Sequence, residues 1–138
     1  MSPSVLIADD EAYVRLLIEQ SLEELEDEGV ELLTAEDGQE ALATIQARKP
    51  DLVFLDVMMP RMNGFDVCYT VKRELELSQV HVVMLTARGQ EFDRQRGEAV
   101  GVDGYMTKPF DPDELLARAR AVLGIARHGE STSPGSVQ

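Results

Sequence analysis

Apolar residues fall along this chain in two alternating rhythms. Short, nearly continuous apolar runs lie at Val5–Ala8, Glu31–Ala35, Leu52–Asp56, His81–Thr86 and Gly104–Thr107. Several lack the polar alternation of a half-exposed strand, which predicts parallel strands covered on both faces. Between these runs, apolar residues recur three and four apart. Val14, Leu17, Ile18, Leu22 and Leu25 form one such set, and Ala41, Leu42 and Ile45 another. Cys68, Val71 and Leu75 follow, then Leu115, Leu116, Ala119, Val122 and Leu123. Each set predicts an amphipathic helix. Pro112 suits the first turn of the last helix, and Gly124 suits its end. The stretch Glu91–Val100 predicts a weaker helix. Phe92, Ala99 and Val100 give it little apolar face, and Gly97 lowers its propensity. The segment Gly129–Gln138 is polar and turn-rich and is expected to be disordered.

Five strand–helix alternations in one domain's length predict an α/β fold: a doubly wound, five-stranded parallel sheet with five flanking helices. Right-handed crossovers place those helices on both faces. The expected organisation is one domain over 1–124 and a flexible tail over 125–138. Ligands of such sheets bind beyond the carboxyl ends of the strands, so residues there carry the candidate chemistry.

Charge narrows the function. The 138 residues hold 13 Lys and Arg against 26 Asp and Glu, a net charge of −13. That excess of acid argues against direct binding of nucleic acid or an anionic membrane. It is also unevenly placed: residues 1–60 carry 15 acids and 3 bases, and residues 61–138 carry 11 and 10. The single cysteine, Cys68, cannot form an intrachain disulfide and is expected to be a small buried hydrophobe. Apolar runs such as Leu52–Leu55 and Val82–Leu85 fall far short of the roughly 18 residues of a membrane helix. The first residues lack a basic signal-peptide region, so a cytoplasmic setting is expected.

Four predicted strands end in reactive side chains: Asp9-Asp10 with Glu11 following, Asp56, Thr86, and Lys108 followed by Pro109. Singly, an Asp or Thr there reads as a helix cap or turn residue. At one sheet edge they form a coherent set. Three clustered carboxylates repel one another unless a cation lies among them. Oxygen ligands without His or Cys suit a hard ion, so Mg²⁺ is expected, with Mn²⁺ as an alternative. A lysine ammonium and a threonine hydroxyl offer a charge and a donor to a phosphoryl group. One carboxylate is then free to act as nucleophile, giving an acyl phosphate.

With those motifs, the chain resembles the receiver domain of two-component response regulators. The runs LDVMMPRMNG (55–64), VVMLTAR (82–88) and GVDGYMTKPF (101–110) support the likeness, which covers about residues 4–124. The resemblance implies a flavodoxin-like strand order 2-1-3-4-5. It implies that Asp56 accepts a phosphoryl group from a sensor histidine kinase, a phosphotransfer protein or a small phosphodonor. It makes Asp10 a direct Mg²⁺ ligand and Asp9 one through water. Asp56 and the backbone carbonyl of Met58 complete the set. Lys108 would contact the phosphoryl oxygens across a cis Lys108–Pro109 bond. Thr86 would bind the phosphoryl group, and Tyr105 would be the switch aromatic that follows it inward. The weak helix before Tyr105 suits an element that changes conformation. The domain would catalyse its own phosphorylation and hydrolysis and is not expected to be an enzyme toward other substrates.

Some positions carry a bland reading beside a sharper one. Pro60, Asn63 and Gly64 form an ordinary turn that would also cover the site. Met58 and Arg88 would border the path of the hydrolytic water. His81 and His128 carry no partner pattern. The acids Glu23, Glu24, Glu26, Asp27 and Glu28 read as a solvated face, or as a steering surface for a basic partner.

Other classes fit less well. A flavin-binding protein of the same fold would want phosphate-cradling residues where Asp9-Asp10-Glu11 stand. A phosphatase of the haloacid-dehalogenase type would want an acid at Met58. A pseudo-receiver that binds partners unphosphorylated would lack one of the four motifs.

The output is expected to be a downstream protein target, or a further part of a longer transcription regulator. The run DELLARARAVL (113–123) resembles winged-helix regulators that dimerise on phosphorylation through the fourth helix, fifth strand and fifth helix. Arg94, Asp103, Glu114 and Arg118 fit that pattern, whereas Gly104 and Ile125 replace expected charges.

Overall fold

The computed structural model describes residues 2–87 and 94–125; Arg88, residues 91–93, His128 and the rest of the expected tail lie outside the described residues. Five strands form the sheet: β1 Ser4–Ala8, β2 Glu31–Ala35, β3 Leu52–Asp56, β4 His81–Ala87 and β5 Gly104–Lys108. All pairings are parallel, in the order β2-β1-β3-β4-β5, as the resemblance implied.

The strands are apolar throughout because alternate residues feed two cores. Leu6, Ala8, Val53, Leu55, Val82 and Met84 pack on one face with Ala41, Ile45, Val67, Val71 and Val100. Val5, Ile7, Leu52, Phe54, Val83 and Leu85 pack on the other with Val14, Ile18, Leu115 and Ala119. Most of these residues are fully buried, which is the burial that stabilises a doubly wound sheet. Ile125, placed in the tail by its sequence, packs against this second core.

The helices depart from the expected five. The described residues hold six: α1 Ala12–Ser21, α2 Glu23–Asp27, α3 Gly38–Arg48, α4 Gly64–Tyr69, α5 Arg94–Val100 and α6 Pro112–Leu123. The first predicted helix breaks at Leu22 into α1 and α2. Just before the break, the Ser21 hydroxyl donates to the Leu17 carbonyl at 2.8 Å, a local bond that competes with the helical ladder. Leu22 and Leu25 stay buried across the break. The helix predicted around Cys68 changes pitch instead: α4 runs into a π-helical turn, Thr70–Glu74.

Three helices carry well-formed ends, of which only those of α6, Pro112 and Gly124, are expected from the sequence. Asp37 accepts from the Glu40 N–H at the start of α3, and Asn63 does so from Asp66 for α4. Pro112 opens α6, and Gly124 closes it with φ 71°.

The weak helix α5 buries little apart from Gly97 and Val100. Polar contacts anchor it instead. Arg73 donates to the carbonyls of Ala99 at 3.1 Å and Glu98 at 3.3 Å, satisfying the end of the helix. The Arg96 guanidinium lies 4.5 Å from the centroid of the Phe65 ring. The buried Cys68 thiol donates to the Val100 carbonyl, and burial pushes that thiol up to about 12, which keeps it protonated.

The acids read as a free surface near α2 are partly engaged. Arg120 of α6 is buried, and its guanidinium pairs with Glu24 and, at 2.8 Å, with Glu28. A buried arginine needs such partners, and only the fold brings α6 beside α2.

Candidate functional site

β1, β3 and β5 deliver the candidate residues to the carboxyl edge of the sheet. Asp9 follows β1 and is fully buried. Its N–H donates to the Ala35 carbonyl at 3.2 Å, and its Oδ1 accepts from the Glu11 N–H at 2.9 Å. Asp56 ends β3, with only 5% of its surface exposed, and its Oδ1 accepts from the Met58 N–H at 3.3 Å. Asp10 is exposed beside them. Carboxylate oxygens of Asp9, Asp10 and Asp56 lie within 4.8 Å of one another.

Lys108 reaches this cluster from the end of β5. Its Nζ stands 2.8 Å from Asp9 Oδ2, 3.5 Å from Asp56 Oδ2 and 3.7 Å from Glu11 Oε1. The Lys108–Pro109 peptide is cis, as the resemblance implied. Burial works against the ammonium, but the Asp9 contact and the charges of Asp56, Asp9 and Glu11 outweigh it, so Lys108 is held above its ordinary range. The Asp56 carboxyl is raised as well. Burial first, then the charge of Asp9, push it from 3.8 up to about 6, against the pull of Lys108 and the Met58 N–H.

The donor set fits a hard divalent cation. Asp9 Oδ2 is fully buried and, among the described residues, accepts no backbone N–H. Lys108 Nζ at 2.8 Å is the cation that faces it, so this oxygen already holds positive charge at the position a metal ion would share. Three carboxylates within 4.8 Å of one another, with no His or Cys among them, match Mg²⁺ chemistry better than that of a softer metal.

The strand register separates the remaining residues. Asp56 is level with Leu85 and Lys108 with Ala87, on one face of the sheet. Thr86 is level with Thr107 on the opposite face, two residues beyond the Met84–Tyr105 pair. Thr86 is thus buried at the strand end on the face that holds Tyr105, which is half-buried against the Val82–Met84 core. Met58 projects its side chain to solvent, 61% exposed.

The loop after β3 is gripped from two sides. A Cβ on Gly64 would stand 2.5 Å from the Asp56 carbonyl oxygen, and one on Gly38 would stand 1.7 Å from that of Met62. Both positions therefore require glycine, and Gly64 packs α4 directly on the Asp56 backbone. Arg61, with φ 69°, reaches back to Asp37 at 3.0 Å.

Two residues of this site escaped the sequence reading. Glu11 has no role of its own in the sequence motif, although its carboxylate stands 3.7 Å from Lys108 Nζ. Arg15 donates to the Asp9 carbonyl at 2.7 Å. Its one signal in the sequence is isolation, as the only base before Arg48.

Fold and site together define a class: a doubly wound α/β domain with three clustered carboxylates and a lysine at the carboxyl edge of its parallel sheet. The sequence signature of the response regulator receiver domain matches residues 5–120. The chain belongs to that family, the receiver domains of two-component signal transduction.

It is 40% identical over 136 residues to the alkaline phosphatase synthesis transcriptional regulatory protein PhoP of Bacillus subtilis, covering 99% of this chain and 53% of that one. It is 44% identical over 131 residues to the phosphate regulon transcriptional regulatory protein PhoB of Pseudomonas aeruginosa, covering 95% and 56%. The chain thus spans about half the length of these curated relatives. Among solved structures, the chemotaxis response regulator CheY4 of Vibrio cholerae superposes with a TM-score of 0.76 at 35% identity, covering 88% of this chain and 99% of that one. Among the described residues, no helix is long and apolar enough to cross a membrane.

Proposed function

We propose that this domain is a phosphorylation-driven switch in which Asp56 accepts a phosphoryl group from the phosphohistidine of a sensor kinase or phosphotransfer protein. The observation that carries the reading is the clustering of Asp9, Asp10 and Asp56 with Lys108 at the edge of the sheet. Asp9, Asp10, Asp56 and the Met58 carbonyl would hold Mg²⁺, or Mn²⁺ in its place. The ion supplies positive charge against the phosphoryl oxygens.

An Asp56 carboxylate oxygen attacks phosphorus as the P–N bond breaks, and its electron pair leaves with the imidazole nitrogen. The product is an acyl phosphate. Attack by water at phosphorus returns the carboxylate and inorganic phosphate. At neutral pH the Asp56 carboxyl is mostly ionised and so is competent as a nucleophile. Lys108 neutralises charge on the transferring group, and Thr86 donates to it once it is attached. Tyr105, on the Thr86 face of the sheet, then moves inward and remodels the surface of α5 and β5 for a downstream protein target. The domain acts on no other substrate, works in the cytoplasm, and neither binds a membrane nor contacts nucleic acid directly.

Unphosphorylated, the domain is a monomer. Arg118 folds onto its own strand, donating to the Tyr105 carbonyl at 3.4 Å in the space left by Gly104. Phosphorylation permits dimerisation through α5, β5 and α6. The relatives named as transcriptional regulators support a second reading of the output, in which this receiver controls a further segment of a longer regulator.

Incubation with Mg²⁺ and acetyl phosphate, followed by intact mass measurement, tests the reading. Wild type gains one phosphoryl group and Asp56→Asn gains none. Equal labelling of both would exclude Asp56 as the acceptor, and no labelling of either would favour a pseudo-receiver.

A further inference from the structure

Arg15 sits on the second turn of α1, and its side chain is only 15% exposed. That enclosure sets it apart from a solvated surface charge. Nη1 donates to the Asp9 carbonyl at 2.7 Å, and Nη2 stands 3.9 Å from Glu36. Glu36 is largely exposed, so the Asp9 contact is the stronger tie.

The Asp9 carbonyl belongs to the planar Asp9–Asp10 peptide. Holding its oxygen fixes the direction in which the chain continues into Asp10. Asp9 itself is already pinned through its N–H and Oδ1. Asp10 is the exposed member of the acid cluster, and among the described residues no side-chain hydrogen bond or ion pair holds it. Its aim therefore depends on the peptide that precedes it.

We propose that Arg15 is a positioning residue for the cation site, aiming the Asp10 carboxylate through the Asp9 carbonyl. The inference rests on the cation-binding reading above. It also makes a prediction opposite in sign to the simplest electrostatic one. A guanidinium beside a divalent cation repels it, so deleting a mere like charge would tighten Mg²⁺ binding. Deleting a positioning residue weakens it.

Calorimetric Mg²⁺ titration of the full chain at fixed ionic strength separates the two. Arg15→Met is expected to bind Mg²⁺ about tenfold more weakly, the scale of loss when an outer partner of a metal ligand is removed. Glu36→Gln keeps the Asp9 contact and is expected to match wild type. Affinity in Arg15→Met equal to or tighter than wild type would overturn the proposal, as would an equal loss in Glu36→Gln. Urea unfolding in EDTA shows whether Arg15→Met is folded. If it is not, Arg15→Lys takes its place, with severalfold weaker binding expected and wild-type affinity counting against the proposal. A wild type that binds no Mg²⁺ would instead refute the cation-site reading itself.

Discussion

Replacing Asp56 by Asn should stabilise the cation-free protein, although it destroys the proposed phosphate acceptor. The Asp56 carboxyl is raised from 3.8 to about 6 on folding, by burial and then by the charge of Asp9. For an acid this means that the folded state holds the proton more tightly than the unfolded chain. The resulting stability is fully present below pH 3.8 and is lost as pH rises through about 6. At neutral pH the ionised side chain therefore works against folding. A gap of about two pH units corresponds to about 3 kcal/mol. Water at the open side of the site, next to exposed Asp10 and Met58, screens that charge, so a gain of about 1.5 kcal/mol is expected for Asp56→Asn.

Urea unfolding in EDTA reads this as a midpoint shift of about 0.7 M at a slope of about 2 kcal/mol per M. The gain should fall to about half at about pH 5 and vanish below the pKa of the unfolded chain. Saturating Mg²⁺ should narrow or invert the difference, because it stabilises wild type by binding its folded state. A variant no more stable than wild type in EDTA near neutral pH would refute the electrostatic account. So would a gain that persists unchanged into acid.

Three further outcomes follow from the same geometry. Gly64→Ala drives a methyl group against the Asp56 carbonyl, so it should cost about 2 kcal/mol in urea unfolding and also weaken Mg²⁺ binding. Arg120→Ala strands Glu24 and Glu28 beside each other and opens a gap under α6, for an expected loss of about 2 kcal/mol by thermal or urea unfolding; a loss below about 0.5 kcal/mol would mark the cluster as an ordinary surface ion pair. Lys108→Met should abolish labelling by acetyl phosphate while leaving calorimetric Mg²⁺ affinity equal or tighter, because the ammonium competes with the ion for Asp9 and Asp56.

The sheet was legible because parallel strands buried on both faces need unbroken apolar runs, and Leu52–Leu55 and Val82–Leu85 have no other use. The acids were legible because this topology delivers strand ends to one edge. What stayed hidden depends on partners far along the chain. The anchoring of α5 comes from Arg73 and Phe65, outside the helix, so apolar spacing within 94–100 could not reveal it. Glu24 and Glu28 read as solvated because their partner, Arg120, is more than ninety residues away. Arg15 was missed for a similar reason: it acts on a main-chain oxygen, which has no sequence letter.

The long-range ion pairs also bear on how the chain becomes a protein as it is made. Lys108 meets Asp9, Asp56 and Glu11, and Arg120 meets Glu24 and Glu28; in each case a late cation settles on early acids. The first sixty residues emerge with 15 acids and only 3 bases, so they repel themselves before those cations exist. β4, which closes one side of β3, also comes later. A nascent chain ending before β4 therefore has neither the neighbouring strand nor the counter-charges of the finished fold. The full set of counter-charges is in place only once α6 has docked, which ties the stability of the acidic half to the basic residues that follow it.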